Sequence, residues 1–306
     1  MRHAMKSRLI ISLVLLLVFK NINAQSAPIV VASIKPIHSI VSSLMEGIES
    51  PELLLKSNNS AHTFHIKPSQ IRVIENADLV ISIGDEFEIG LRKALKNLND
   101  STRFEIVKLN NLKILKYRAD KIYETTDQVK QIDESETNDM HLWLDIDNMK
   151  KISSHIHSKL IDIDPRNKQK YNKNLDLLTL RLDSLQAELE KQMLPFAAKT
   201  YGTYSDTIQY FENSYNLGRP VIVTPYHGAR LSINRTLASK NTMNDLKVSC
   251  LIYGNEVRKS QISVLSEGLN LKTAELDILG QEFNPGPDLY FKLMKKIANQ
   301  VASCLE

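Results

Sequence analysis

Eight histidines are the side chains in this sequence best able to hold a metal ion, and their contexts differ. His62 lies in SNNSAHTFHIKPS, just beyond the apolar run ELLL (52–55). His141 opens HLWLD, and Asp277 closes LKTAELD ahead of Ile278, Leu279 and Gly280. All three stand where a loop meets an expected strand, which is where open α/β sheets collect their ligands. Two imidazoles and a carboxylate suit zinc or a neighbouring first-row ion, and more oxygen ligands would favour manganese. His65, close behind His62, reaches the same ion if the backbone turns there. His155 and His157 are two apart on an expected helix, so they face different sides and cannot chelate together. His38 and His227 are expected to be structural or solvated. No HExxH motif is present, and Glu86 and Glu88 have no histidine pairing, so a hydrolytic zinc centre finds little support. The expected chemistry is capture, not catalysis. Imidazole binds metal only when neutral, so affinity should fall as pH drops below about 6.5, the unperturbed histidine value.

These residues need elements to hold them. IVVASI (29–34), ELLL (52–55), DLVISIG (78–84) and FEIVKL (104–109) read as strands. Between and after them lie helical stretches to Met45, at 69–77 with Ser69 as the cap, and at 86–97. From Lys116 to Met140 the apolar pattern stops and acids, Thr, Lys and Gln take over, which reads as a surface loop. Asp147 to Asp162 is helical. Asp164-Pro165 then starts a long helix to residue 193, in which Leu178, Leu182, Leu185 and Leu189 mark one apolar face. Strand–helix alternation resumes beyond it: TYGTY (200–204), a helix through Tyr210–Tyr215, PVIVTP (220–225), a helix around 230–245, VSCLIYG (248–254), a helix near 256–268, LKTAELD (271–277) and a last helix 287–303. The predicted fold is α/β: two similar domains with parallel sheets flanked by helices, joined by one long helix. The expected divisions are 25–165, 166–195 and 196–306. No repeat is visible at residue level.

The amino terminus carries Arg2, Lys6 and Arg8, an apolar run from Leu9 to Phe19, and Ala24. This order reads as a cleaved secretory signal over residues 1–24; the apolar run is too short to span a bilayer. The competing reading is an uncleaved anchor. The formal net charge of +4 comes from four basic residues in that segment, and the remainder is balanced. Charge therefore gives no case for nucleic acid or an anionic membrane as partner. In an oxidising compartment Cys250 and Cys304 read as one disulfide; two thiols without CxxC spacing make a poor metal site.

SIKPIHSIVSSLMEG and ELLLKSNNSAHTFHIKPSQIRVIENADLVISIG resemble the amino-terminal domain of the periplasmic metal-binding proteins of ABC transporters, in the zinc-uptake branch of the zinc-manganese (cluster 9) family. The resemblance resumes at HLWLDIDNMKKISSHIHSKLIDIDP, YFENSYNL, VSCLIYG, LDILG and ANQVASCLE, and covers nearly all of the chain after residue 24. It implies two domains about a long helix with zinc, or else manganese or iron, carried in the cleft between them. The family's ligands fall on His62, His141 and Asp277, and its disulfide on Cys250 and Cys304. The partner it implies is a permease in the inner membrane, with the protein itself a periplasmic monomer. The family's third histidine falls on Ser205, a poor zinc ligand, and some zinc members carry a glutamate where this chain has Ala61. The loop before His141 holds acids such as Asp133, Glu134, Glu136 and Asp139 and no histidine. His65 and Ser205 are therefore auxiliary candidates, and an adhesin or interaction protein on the same fold with a degenerate site is the rival reading.

Overall fold

Buried β-branched runs pair into two parallel sheets in the computed structural model, which describes residues 26–56, 65–118, 138–224 and 231–306. The first sheet contains β1 (Val30–Ala32), β2 (Glu52–Leu53), β3 (Leu79–Ser82) and β4 (Arg103–Glu105), ordered β2-β1-β3-β4. The second contains β5 (Gly202–Ser205), β6 (Val221–Thr224), β7 (Cys250–Gly254) and β8 (Lys272–Leu276), ordered β6-β5-β7-β8. Both sheets thus share one plan, with the first strand lying between the second and third. Crossovers leave that strand in opposite directions, which opens a crevice at the strand carboxyl ends.

The helices are α1 (Lys35–Leu44), α2 (Pro68–Glu75), α3 (Arg92–Lys96), α4 (Ile146–Ile163), α5 (Lys168–Met193), α6 (Gln209–Ser214), α7 (Ile233–Asp245), α8 (Lys259–Ser266) and α9 (Leu289–Leu305). The long helix α5 has 26 residues and spans about 39 Å. Its buried side chains are Tyr171, Leu178, Leu182, Leu185, Leu189 and Met193, the expected leucine face extended at both ends. The last helix, α9, packs back against α1 and α5 as well as β7 and β8. Ser39 donates to the Pro287 carbonyl at 3.1 Å and Arg181 pairs with Asp288 at 2.6 Å, so the carboxyl-terminal segment is fastened to the first half. The Cys250–Cys304 disulfide ties α9 to β7. Closing a loop of 54 residues, it stabilises by about 4 kcal/mol on the chain-entropy account.

Several boundaries depart from expectation for local reasons. Helix α2 starts at Pro68, one residue before the expected cap Ser69; proline at the first helical position loses no hydrogen bond, and Gln70 accepts from the Lys67 N–H at 2.9 Å. The expected helix 86–97 is interrupted, because Glu88 leaves helical geometry and turns its carboxylate back to the Ile83 and Gly84 N–H groups. The strand expected to reach residue 109 stops at Glu105 and becomes a 3-10 turn, Ile106–Lys108. Among the described residues no helix is long and apolar enough to cross a membrane. The expected export signal lies outside the described residues.

Candidate metal centre

His141 lies just ahead of a 3-10 turn, Leu142–Leu144, whose three residues are all buried apolar groups. That burial pulls the histidine inside as well, and it is only 1% exposed. Its Nδ1 lies 2.7 Å from Asp139 Oδ1, which also accepts the His141 backbone N–H at 3.0 Å. Phe87 and Trp143 meet the ring edge-on at centroid distances of 5.8 and 5.3 Å. With Nδ1–H donated to the carboxylate, the ring's electron pair resides on Nε2. This is the tautomer that ligates metals, oriented by the carboxylate contact that metal-binding histidines ordinarily have. Burial pushes the Asp139 carboxyl above its ordinary range, and His141 opposes that shift.

Asp277 follows the end of β8. Its Oδ1 accepts the Leu279 and Gly280 N–H groups at 3.0 and 2.9 Å, and Oδ2 accepts from Gln281. The carboxylate therefore organises its own turn. Gly280 takes φ +70°, and a Cβ there would meet the Leu289 side chain at 3.1 Å. Lys35 Nζ donates to the Gly280, Gln281 and Phe283 carbonyls at 3.2, 2.8 and 3.0 Å. Burial lowers the Lys35 pKa, and the charge of Asp277 opposes that lowering. Trp143 Nε1 donates to the Ile278 carbonyl at 2.8 Å, which brings the His141 segment against the Asp277 turn.

Ser205 ends β5, is 4% exposed, and its Oγ has no hydrogen-bond partner among the described residues. Its neighbour Asp206 is held by Arg118, whose Nε donates at 3.0 Å and whose Nη2 reaches Glu212 Oε2 at 2.5 Å. Burial raises the Glu212 carboxyl to about 7, against the opposing pull of Arg118. Tyr210, on α6, donates to the Asp139 carbonyl at 2.8 Å. The segments bearing Ser205, His141 and Asp277 thus converge. The buried Arg118 cluster is not legible in composition, because its partners sit far along the chain and the arginine opens a stretch that reads as solvated loop. Its flank is anchored by a bridge from Lys116 to Asn138.

Sequence reasoning also missed Glu256. Strand β7 stops at Gly254 and α8 begins only at Lys259, so Glu256 stands in the strand-end loop, not in the expected helix 256–268. Glu256 is exposed as a residue, but desolvation of its carboxylate against the strand ends raises it above the ordinary range, and both His141 and Asp277 lie within electrostatic reach of it. The signal that could have found it is the one that found Asp277: a carboxylate just past a strand's carboxyl end.

The remaining candidates separate clearly. His62 and His227 lie outside the described residues. His65 is described and exposed. His38 is buried, with Nε2 at 3.0 Å from the Pro51 carbonyl, and is structural as expected. His157 Nε2 lies 2.8 Å from Asn172 Oδ1, an exposed contact between α4 and α5. Among the described residues, no three His, Cys, Asp or Glu side chains are gathered closely enough to enclose a metal.

A family model described as "Zinc-uptake complex component A periplasmic" matches residues 30–304. The chain is 28% identical over 306 residues to the high-affinity zinc uptake system protein ZnuA of Brucella abortus (strain 2308), covering 90% of this chain and 91% of that protein. Among solved structures, a crystal structure of ZnuA aligns with a TM-score of 0.76 at 20% identity, over 92% of this chain and all of the other. The solute-binding protein FpvC of Pseudomonas aeruginosa, in complex with Mn2+, aligns with a TM-score of 0.74 at 15% identity, over 92% of this chain and 99% of the other.

Proposed function

The chain belongs to the periplasmic zinc-uptake component A family, and from that premise we infer that it captures zinc for an ABC permease in the inner membrane. As a member of that family it is a periplasmic metal-binding component of an ABC importer. The finer reading concerns the cargo and its ligands. His62, His141 and Asp277 hold the ion, with Ser205 and His65 as auxiliary groups, and residues 1–24 are removed on export. The observation that carries this reading is His141: a buried imidazole, oriented through Nδ1 by a buried carboxylate, beside the Asp277 turn. Such preparation serves a metal ligand and is wasted on a packing residue. Three protein ligands and a water complete a tetrahedral zinc sphere. The role is capture and release, in which a bound ion favours whichever arrangement of the two halves it binds better.

Manganese is the second reading. Carboxylates at 256 and 277 and the hydroxyl of Ser205 make the surroundings of His141 rich in oxygen, which suits that harder ion.

The test is calorimetric titration of the chelator-stripped protein with zinc and with manganese, alongside His62→Ala and Ser205→His variants. Zinc should bind with submicromolar affinity, His62→Ala should abolish that binding, and Ser205→His should tighten it. Preferential manganese binding would replace zinc as cargo. Failure of both ions to bind, with recovery in Ser205→His, would mean that the fold serves as an interaction protein.

A further inference from the structure

His141 belongs to the first half by chain order, yet the backbone around it hangs from residues that lie beyond α5. The carbonyls of this short segment divide into two sets. Those of His141 and Leu142 accept the Leu144 and Asp145 N–H groups at 3.1 and 3.3 Å, within the 3-10 turn. Those of Asp139 and Trp143, which flank the histidine symmetrically in sequence, accept from tyrosine hydroxyls instead. Tyr210 on α6 donates to the Asp139 carbonyl and Tyr290 on α9 to the Trp143 carbonyl, each at 2.8 Å. Both tyrosines are fully buried. A buried carbonyl needs a partner and so does a buried phenol, so neither bond exchanges readily for water.

Each hydroxyl is itself held in place. Tyr210 Oη also accepts the Leu115 N–H at 2.9 Å, and the Leu115 carbonyl accepts the Asp139 N–H at 2.8 Å. Tyr210 thus closes a ring of hydrogen bonds through both main-chain groups of Asp139, the residue whose carboxylate orients the His141 imidazole at 2.7 Å. Tyr290 is set by its own N–H, which donates to Ser39 Oγ on α1 at 3.0 Å. The Trp143 side chain adds a third tie, from Nε1 to the carbonyl of Ile278, the residue after Asp277. Main-chain bonds on both sides of the histidine set its position and tilt, and the Asp139 carboxylate sets the rotation of the ring. Two expected ligands from opposite halves, His141 and Asp277, are thereby kept in one register before any ion arrives.

We propose that Tyr210 and Tyr290 are positioning residues for His141, a pair of buried hydroxyls from the second half that bracket the imidazole and hold it in register with the Asp277 turn. The assignment rests on the capture reading above, and it concerns what holds a ligand in place rather than what touches the ion. Preorganisation of this kind raises affinity because the bound geometry needs no ordering when the ion enters.

Tyr210→Phe and Tyr290→Phe each remove one hydroxyl and keep the ring. Tyr171→Phe serves as the comparison: Tyr171 is as deeply buried, and its hydroxyl bonds Asp164 Oδ2 at 3.2 Å, where α4 passes into α5. In the metal-free protein the Nδ1 proton of His141, held by Asp139, gives a nuclear magnetic resonance signal downfield of the amides, assigned by its loss in His141→Ala. Tyr210→Phe and Tyr290→Phe should each shift or broaden this signal and weaken zinc binding about tenfold, read by competition with a chromophoric chelator. Tyr171→Phe should lower the thermal midpoint while leaving the signal and the affinity at parental values. A parental signal and affinity in both Tyr210→Phe and Tyr290→Phe would overturn the proposal. An equal response in Tyr171→Phe would also overturn it, by reducing the bracket to general packing. A parent protein that binds no zinc would overturn the capture reading instead, and the metal-free signal would still decide whether the bracket positions His141.

Discussion

An imidazole holds a metal best when its second nitrogen is already engaged, because the tautomer and the ring orientation then need no rearrangement on binding. Asp139 performs this service for His141 at 2.7 Å. Asp139→Asn should weaken zinc binding by about 10- to 100-fold while leaving the ligands in place, and competition titration would check it. Glu88 is a buried carboxyl of a different kind. It accepts from Ser33 Oγ at 2.5 Å and from the Ile83 and Gly84 N–H groups, and burial raises it from 4.5 to about 7. An acid raised in the folded state stabilises the fold while protonated. That contribution is full below pH 4.5 and is lost as pH rises through about 7. The stability of the wild type relative to Glu88→Gln should therefore fall by up to about 3 kcal/mol across that window, read by urea unfolding at successive pH values.

At the scale of elements, α5 is the member on which the others lean. Its leucine stripe packs against α1, α4 and α9, and its outer side remains wet. Leu182 is fully buried whereas Leu180, on the same helix, is 66% exposed. Leu182→Ala should cost about 2–5 kcal/mol through lost burial and the cavity left behind. Leu180→Ala should stay within about 0.5 kcal/mol of the parent, so the pair measured by chemical denaturation separates packing from helix propensity. The short strands are the opposite case. Neither β1 nor β2 is longer than three residues, and each is held by its place in a covered sheet.

For the whole molecule, the connections between halves decide how far it can open. Trp143 reaches the Ile278 carbonyl, Lys35 reaches three carbonyls after Asp277, and Arg118 reaches Asp206 and Glu212. With α5 as a rigid strut and α9 packed on both halves, metal binding should move loops rather than rotate domains. Small-angle scattering of the metal-free and zinc-loaded protein should give superimposable profiles. An expanded metal-free profile would mean that these contacts release and that the molecule closes by a hinge.

What the sequence by itself determined follows from short-range physics. The 3.6-residue leucine period specified α5, and β-branched runs bounded by Gly, Pro or Ser specified the strands. The placement of His141 and Asp277 at strand–loop junctions, with the family resemblance, pointed to a metal. The cysteine pair was legible because an oxidising compartment leaves two thiols little else to do. Tertiary structure decided the rest. That Asp139 orients His141, that Arg118 is half-buried among acids from the second half, and that Glu256 fills the space left by Gly254 are facts of folded geometry. None has a local signature, because a carboxylate's role depends on burial and on which distant charges face it, and only the packed chain sets those.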